Sequence, residues 1–185
     1  MITDRHALLD CIRTLGLNGL GCELGVGDGY YSYWILRKTQ LKKLYSVDPW
    51  DKPEGSQITF RAEPELYMKA LKNLMEYGDR SYVLRMLSVP AAELFPDQSM
   101  SFVYIDANHA EAEVEADIAA WWPKIKRGGI LAGHDYGTFH TGVTLAVDRF
   151  VKQYGLKLHL TANDQVFQGH IIQSWFVAKD RELNL

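Results

Sequence analysis

Cysteine is scarce in this chain of 185 residues, which has only Cys11 and Cys22 and no CxxC or cysteine–histidine spacing typical of a metal site. This scarcity excludes a disulfide framework, so both thiols are expected to be free. No uninterrupted apolar run approaches the roughly 18–20 residues of a membrane-spanning helix, and the first residues do not form a basic and apolar leader. The sequence therefore predicts a cytoplasmic protein without a membrane partner.

An excess of charge of one sign is also missing, because 20 lysines and arginines face 23 aspartates and glutamates, for a formal net charge of −3. The basic residues are dispersed, so we expect no nucleic-acid partner. Hydrophobic residues make up 47% of the chain, a share that indicates a globular rather than a disordered protein. We expect a single domain over residues 1–185, and a homodimer stays open as its assembly.

Helix-like and strand-like segments alternate along the chain. Strands are predicted at 20–24, 44–48, 82–86, 100–105, 129–133, 156–160 and 172–178, and helices at 3–16, 30–38, 64–77, 110–126 and 143–154. This alternation predicts an α/β fold with a doubly wound, mainly parallel sheet and helices on both faces. Ligands of such folds bind at the carboxyl ends of the strands.

Residues 49–63 interrupt this alternation, because the segment carries proline, glycine, aspartate and serine without a clear period. It is too long for a simple turn, and loops of this length often act as lids over a bound ligand. We therefore predict a lid in which the aromatic residues Trp50 and Phe60 cover the ligand.

Three alternating glycines follow the first predicted strand, in the run Cys22-Glu23-Leu24-Gly25-Val26-Gly27-Asp28-Gly29. A tight glycine turn between a strand and a helix lets the backbone approach a nucleotide-type cofactor closely. The carboxylates of Glu23 and Asp28 would repel the pyrophosphate of a dinucleotide, whereas they would attract a cationic ligand. The loop therefore favours S-adenosylmethionine, which carries a sulfonium and an ammonium, over a nicotinamide dinucleotide.

Polar residues follow other predicted strands. Asp48 comes after the second strand, where a carboxylate can accept hydrogen bonds from both hydroxyls of a ribose, and a turn cap is the alternative. Asp106 and His109 follow the fourth strand, and His134 and Asp135 follow the fifth. A carboxylate beside an imidazole can hold a divalent metal or deprotonate a hydroxyl, and structural capping is again the alternative.

Other polar residues have simpler interpretations. Four acidic residues suit the solvated first turns of a helix, where the helix dipole favours negative charge, namely Glu111, Glu113, Glu115 and Asp117. Four histidines have no companion motif and are assigned no function, namely His6, His140, His159 and His170.

Four blocks together make the chain resemble the class I S-adenosylmethionine-dependent methyltransferases, and more narrowly a small-molecule O-methyltransferase-like family with DxxH and GGxxxxHDY blocks. The blocks are the glycine loop, Val47-Asp48-Pro49-Trp50, Tyr104-Ile105-Asp106-Ala107-Asn108-His109 and Gly128-Gly129-Ile130-Leu131-Ala132-Gly133-His134-Asp135-Tyr136. The resemblance implies a seven-stranded, Rossmann-like sheet whose last strand, at 172–178, is antiparallel to the rest. It also implies methyl transfer to a small-molecule acceptor, and we expect a hydroxyl oxygen to receive the methyl group.

The resemblance implies cofactor contacts as well. Glu23 would bind the methionyl ammonium, Asp48 the ribose, and residues 86–88 would lie beside the adenine. The implied contacts are Glu23, Gly25, Val26, Gly27, Asp28, Gly29, Asp48, Met86, Leu87, Ser88 and Asp106. For the acceptor, we predict that His109 or His134 lowers the cost of removing the hydroxyl proton.

A metal site is a further implication. Relatives that methylate sugar or catechol-type hydroxyls often hold Mg²⁺ with an aspartate after the fourth strand and an acidic pair, or an aspartate and an asparagine, after the fifth. Asp106 and Asp135 match two of those ligands, and either His134 before Asp135 or Tyr136 after it stands where a second oxygen ligand would be. The resulting set is Asp106, His134 and Asp135, for Mg²⁺ or another divalent metal.

Two alternatives from other classes stay open. A nicotinamide-dependent oxidoreductase is disfavoured by Asp28 and by the spacing of the glycines, and it would bind NADH in place of S-adenosylmethionine. A non-catalytic module would bind S-adenosylmethionine and transfer its methyl group to no acceptor, because a fold does not dictate an activity.

Overall fold

The structure is a computed structural model that describes residues 2–51 and 64–183. Its helices are α1 (Arg5–Thr14), α2 (Tyr30–Lys38), α3 (Pro64–Leu74), α4 (Ser88–Ala92), α5 (Glu111–Trp121) and α6 (Thr141–Tyr154), with a 3-10 helix at Met75–Arg80. Its strands are β1 (Leu20–Leu24), β2 (Lys43–Asp48), β3 (Ser81–Arg85), β4 (Met100–Ile105), β5 (Ile125–Gly137), β6 (His159–Leu160), β7 (Gln165–Phe167) and β8 (His170–Ala178). Most of the predicted lid, including Phe60, lies outside the described residues.

The described strands form one sheet in the order β3-β2-β1-β4-β5-β8-β6, and β7 pairs with β8 beside that path. The pairs among β1 to β5 are parallel, and every residue of the central strand β4 is buried because helices cover both faces. β8 runs antiparallel to β5 and β6, between which it lies. The topology confirms the predicted α/β fold with its antiparallel last strand. The short strand β7 is an addition that the sequence pattern did not indicate.

Proline sets the end of α5. The predicted helix over 110–126 ends at Trp121 instead, because Pro123, two residues further on, has no N–H to donate to a continuing helix. β5 consequently begins at Ile125 rather than at 129. α3 is also shorter than predicted, since it ends at Leu74 and passes into the 3-10 helix, where Gly78 has a φ of 49°.

Two apolar layers cover the faces of the sheet. One contains Trp121 and Trp122 of α5 together with Phe150 of α6, and the other contains Leu8 and Ile12 of α1 with residues of α2. Both cysteines are free, as expected, with Cys22 buried and Cys11 partly buried. Within residues 2–51 and 64–183, none of the helices combines the length and the apolar character needed to cross a membrane.

Candidate functional site

A cavity of about 380 Å³ opens at the carboxyl ends of β1, β2 and β4. The loop between β1 and α2 forms part of its wall, and Gly25, Val26 and Gly27 are among the lining residues. Gly25 and Gly27 have φ angles of 81° and 56°, in the left-handed region that glycine adopts without strain. The predicted glycine loop therefore borders a cavity at the carboxyl edge of the sheet, where ligands of such folds bind.

Asp48, the residue predicted to bind a ribose, holds this loop in place. Its Oδ2 atom accepts hydrogen bonds from the backbone N–H groups of Val26 at 2.8 Å and Gly27 at 3.0 Å, and its Oδ1 atom accepts one from Trp50 at 2.7 Å. Asp48 also lines the cavity. Because each carboxylate oxygen has two lone pairs, the turn-capping role leaves capacity for a ligand hydroxyl.

Glu23 is a buried acid at the wall of the cavity, with 1% of its surface exposed. The Ser32 hydroxyl donates to Glu23 Oε2, and the Ser32 and Ser46 hydroxyl oxygens lie 2.6 Å apart. Burial raises the pKa of Glu23 to about 8, although the hydrogen bond from Ser32 opposes the shift. A cation bound beside Glu23 would favour its ionised form.

Asp28 and Gly29, the last predicted loop residues, directly precede α2. Gly29 is the N-cap of the helix and does not line the cavity. Asp28 lines the cavity, and its Oδ1 atom accepts a hydrogen bond from the Tyr30 backbone N–H at 3.1 Å. Its Oδ2 atom is 3.2 Å from Lys69 Nζ. The positive charge of Lys69 offsets part of the negative charge of Asp28 at this solvent-accessible ion pair.

The described part of the predicted lid is attached to the glycine loop through Trp50. The indole Nε1 donates a hydrogen bond to the Gly27 carbonyl oxygen at 2.7 Å. The Trp50 ring is buried and packs against Tyr67 of α3, with ring centroids 5.0 Å apart. Trp50 therefore lies at the cavity wall, and its role as part of a lid stays a prediction. Residues 52–63 of the predicted lid lie outside the described residues.

Leu87 and Ser88, predicted to lie beside adenine, line the cavity, whereas Met86 packs against the core. The Ser88 hydroxyl donates a hydrogen bond to Asp117 of α5. The expectation that Asp117 lies on a solvated helix turn was wrong, since this residue is 3% exposed and lines the cavity beside Ser88. Burial raises the pKa of Asp117 to about 6, against the effect of the hydrogen bond from Ser88.

The cavity is strongly acidic. Among the described residues that line it, seven are acidic and one, Arg5, is basic. The acidic residues are Glu23, Asp28, Asp48, Asp51, Asp106, Glu113 and Asp117. Such a wall attracts a cation and repels a pyrophosphate, as the loop sequence predicted.

Arg5 reaches the cavity from α1, and sequence reasoning missed it. Its Nη1 atom lies 3.4 Å from Asp106 Oδ2. The Tyr31 hydroxyl donates to the Arg5 carbonyl oxygen at 2.9 Å, and the guanidinium lies over the Tyr31 ring at 5.0 Å from its centroid. Because these contacts depend on how α1 packs against α2, no spacing in the sequence indicates them.

Asp135 lies at the centre of a cluster of three histidines next to the cavity. Its Oδ2 atom is 2.9 Å from His109 Nε2, and its Oδ1 atom is 3.3 Å from His134 Nδ1 and 3.7 Å from His140 Nε2. Burial opposes the charged form of Asp135, but hydrogen bonds from His109 and His134 hold its pKa below the ordinary value. Asp106 lines the cavity and lies 3.9 Å from His134 Nδ1, so it connects the cavity to the cluster.

His134 is the most enclosed of these histidines, with 9% of its side chain exposed. Its Nε2 atom is 3.6 Å from Asp164 Oδ2, so carboxylates face both ring nitrogens. Burial alone would lower the pKa of His134, but the hydrogen bond to Asp135 and the charges of Asp106 and Asp135 raise it. This environment favours an imidazolium that balances buried carboxylates.

His140 belongs to the cluster although no function was assigned to it. The ring centroids of His109 and His140 are 3.9 Å apart, and His140 is the N-cap residue of α6. The two histidines come from different connections, one after β4 and one after β5. Only the pairing of those strands brings them together, which explains why the sequence gives no signal for His140.

Two overlapping groups among the described residues have the composition of a metal site, namely Asp106, His134 and Asp135, and His109, Asp135 and His140. Within each group, one donor atom per residue lies within 4.8 Å of the others. The first group is the predicted set. Mg²⁺ takes oxygen ligands, whereas both groups contribute imidazole nitrogens, so the donor set does not fit Mg²⁺.

The strand order, with β8 antiparallel to β5, and the glycine loop at the strand ends define the fold of the class I S-adenosylmethionine-dependent methyltransferases. The methyltransferase domain family matches residues 22–136, from β1 to the end of the HDY block. That match covers more than half of the chain, and the chain belongs to this family.

One relative is known only as the uncharacterised protein y4gI of Sinorhizobium fredii, which is 27% identical over 160 residues. The match covers 80% of this chain but 17% of that protein. The chain thus spans about a sixth of the length of the curated relative it matches.

Solved structures with this fold carry different names. The O-methyltransferase of Bacillus cereus in complex with SAH has a TM-score of 0.69 at 13% identity, over 95% of this chain and 80% of its own. Precorrin 8w decarboxylase of Methanobacterium thermoautotrophicum has a TM-score of 0.66 at 15% identity, over 94% and 88%. Spermidine synthase of Thermotoga maritima has a TM-score of 0.64 at 13% identity, over 95% and 60%. At these identities the likeness shows the fold alone.

Proposed function

We propose that this protein transfers the methyl group of S-adenosylmethionine to a hydroxyl oxygen of a small molecule. The observation that carries the proposal is an acidic cavity at the strand ends that adjoins a cluster of histidines around Asp135. The cavity suits a cationic cofactor, and the cluster offers groups that can act on a hydroxyl proton. The SAH-bound O-methyltransferase of Bacillus cereus, which has the same fold, supports the same assignment.

The cavity offers a partner for each part of the cofactor. Glu23 would bind the methionyl ammonium and Arg5 the methionyl carboxylate, because a carboxyl group that a bound cation would ionise and a guanidinium line the same cavity. Asp48 would accept a hydrogen bond from a ribose hydroxyl, and Leu87 and Ser88 would adjoin the adenine. The glycine loop would contact the cofactor through its backbone.

Methyl transfer is an in-line displacement in which the acceptor oxygen forms a bond to the methyl carbon as the carbon–sulfur bond breaks. The sulfonium leaves as a neutral thioether, so the protein mainly has to align the reactants and remove the hydroxyl proton. We assign the removal of the hydroxyl proton to His109, which pairs with Asp135 and has 37% of its side chain exposed. His134, enclosed by carboxylates, would act as a positioning residue that keeps Asp106 and Asp135 in place.

A small acceptor is favoured over a nucleic acid. The chain has a formal net charge of −3, and the cavity wall is acidic. Both features oppose the approach of a phosphate backbone, whose binding depends on clustered lysine and arginine.

The test is a transfer assay with methyl-labelled S-adenosylmethionine and a panel of small acceptors that carry hydroxyl, amine or carbon nucleophiles. We expect label only on hydroxyl oxygens, and His109→Ala should lower kcat by about 100-fold with little change in cofactor affinity. His159→Ala, a histidine outside the cluster, is the matched control. Label on nitrogen or carbon would refute the choice of hydroxyl, and full activity of His109→Ala would remove His109 from the mechanism.

A further inference from the structure

His109, Asp135 and His140 direct two imidazole nitrogens at one carboxylate. The Nε2 atoms of His109 and His140 lie 2.9 Å and 3.7 Å from the two oxygens of Asp135, and the three donor atoms lie within 4.8 Å of one another. Asp135 has a φ of 61°, in the left-handed region that non-glycine residues seldom adopt. With this backbone, each carboxylate oxygen of Asp135 contacts one of the two rings.

We propose that His109, Asp135 and His140 bind a divalent transition-metal ion of the zinc or iron(II) type. Two imidazoles and one carboxylate are the donor set of many catalytic zinc sites and of non-haem iron(II) sites, which keep further coordination positions open. The proposal replaces Mg²⁺, which the donor set does not fit, and it adds a ligand, His140, to which no function was assigned.

The alternative group, Asp106 with His134 and Asp135, is less suited to an ion. Carboxylates already face both nitrogens of His134, and its side chain is 9% exposed. Asp106 is also paired with the guanidinium of Arg5 at 3.4 Å, which an incoming cation would have to displace. His109 and His140, in contrast, have 37% and 24% of their side chains exposed, so an ion can reach them from solvent.

An apolar wall stands on one side of the proposed site. The Phe139 ring meets the His140 ring edge-on, with centroids 4.6 Å apart, and packs against Phe167 of β7 at 4.9 Å. Apolar neighbours restrict the access of water to a metal, and this favours coordination by the protein's own side chains. With an ion bound, His109 would be one of its ligands, and the ion would supply the Lewis acidity that lowers the cost of removing a proton from the acceptor hydroxyl.

The test is a metal titration of the full chain after dialysis against a chelator, with Zn²⁺ followed by calorimetry and Co²⁺ by visible absorption. We expect saturable binding of one ion per chain. His140→Gln and His109→Gln should each weaken binding at least about tenfold, since even the loss of an outer partner of a metal ligand costs about that much. Asp106→Asn should cause a smaller loss, and His170→Gln, an exposed histidine outside the group, should bind as the wild type does.

Absence of saturable binding would overturn the proposal. So would a loss of affinity in Asp106→Asn that exceeds the loss in His140→Gln, because it would assign the ion to the other group. A thermal unfolding curve for each variant shows whether it is folded, and two separate histidine variants keep the test decisive if one is not. The titration contains neither cofactor nor acceptor, so its failure leaves the proposed methyl transfer untouched.

Discussion

Gly25 lies directly against the backbone of Asp106. A β-carbon added to Gly25 would stand 2.0 Å from the Asp106 carbonyl oxygen, which is closer than β-carbons approach other atoms in proteins. The contact joins the glycine loop after β1 to the end of β4. Main-chain atoms therefore hold together the loop that borders the cavity and Asp106, the acid next to the histidine cluster.

Replacing Gly25 should therefore cost more than replacing Gly27. Gly25→Ala adds a collision with backbone to the strain of a left-handed residue, which alone costs roughly 1–2 kcal/mol. Gly27→Ala carries the strain alone, because among the described residues no atom beyond its chain neighbours lies within 4 Å of its added β-carbon. Urea denaturation should show a larger loss of unfolding free energy for Gly25→Ala, together with weaker cofactor binding. Equal losses in the two variants would show that the Asp106 backbone moves away from the added β-carbon without a cost in unfolding free energy.

Binding of S-adenosylmethionine should release a proton from Glu23. The pKa of Glu23 is about 8, so this acid is mostly protonated at pH 7, and the cofactor's ammonium favours its ionised form. Affinity should consequently rise as the pH increases from 6 to 8. Calorimetry at pH 7 in buffers of different ionisation enthalpy should report release of nearly one proton, and Glu23→Gln should abolish it. Proton uptake by the wild type would contradict the assignment.

Arg5 should recognise the carboxylate of the cofactor and no other part of it. Arg5→Met is expected to weaken binding of S-adenosylmethionine about 10- to 100-fold, the equivalent of one charged hydrogen bond of roughly 1.5–3 kcal/mol. Decarboxylated S-adenosylmethionine should bind the variant and the wild type equally. Arg13→Met, on the same helix but paired with Asp10 at the surface, is the control. An equal loss for both ligands would mean that Arg5 supports the cavity rather than the carboxylate.

Asp117 should make the fold less stable as the pH rises. Its pKa is raised from an ordinary value of 3.8 to about 6. The protonated form therefore contributes its full stabilisation below pH 3.8, and this stabilisation is lost as the pH rises to about 6. Asp117→Asn mimics the protonated acid, and its stability relative to the wild type should increase by up to roughly 3 kcal/mol between pH 4 and pH 7. Urea denaturation at the two pH values measures the difference. A constant difference would show that Asp117 titrates normally.

Local sequence features predicted most of the fold and the outline of the site. The glycine loop and the acids after β1, β2 and β4 could be found because strand ends and glycine turns are encoded by adjacent residues. Asp117 was misassigned because acidic residues near the start of a helix are usually exposed to solvent. Only the packing of α4, which begins at Ser88, shows that Asp117 is covered. The positions of His140 and Arg5 at the site depend on packing between elements that are distant in sequence. No periodic pattern in the sequence indicates that packing.

The position of β8 between β5 and β6 has a consequence for biosynthesis. β8 carries Ser174, whose hydroxyl donates to Asp164 at 2.5 Å, and Asp164 in turn faces His134 of β5. A ribosome synthesises the glycine loop and the Asp135 region before β8, which pairs with β5 and β6. A nascent chain can therefore pair β1 to β5 early, whereas the surroundings of His134 and Asp135 are complete only when the reversed strand has inserted between its two neighbours.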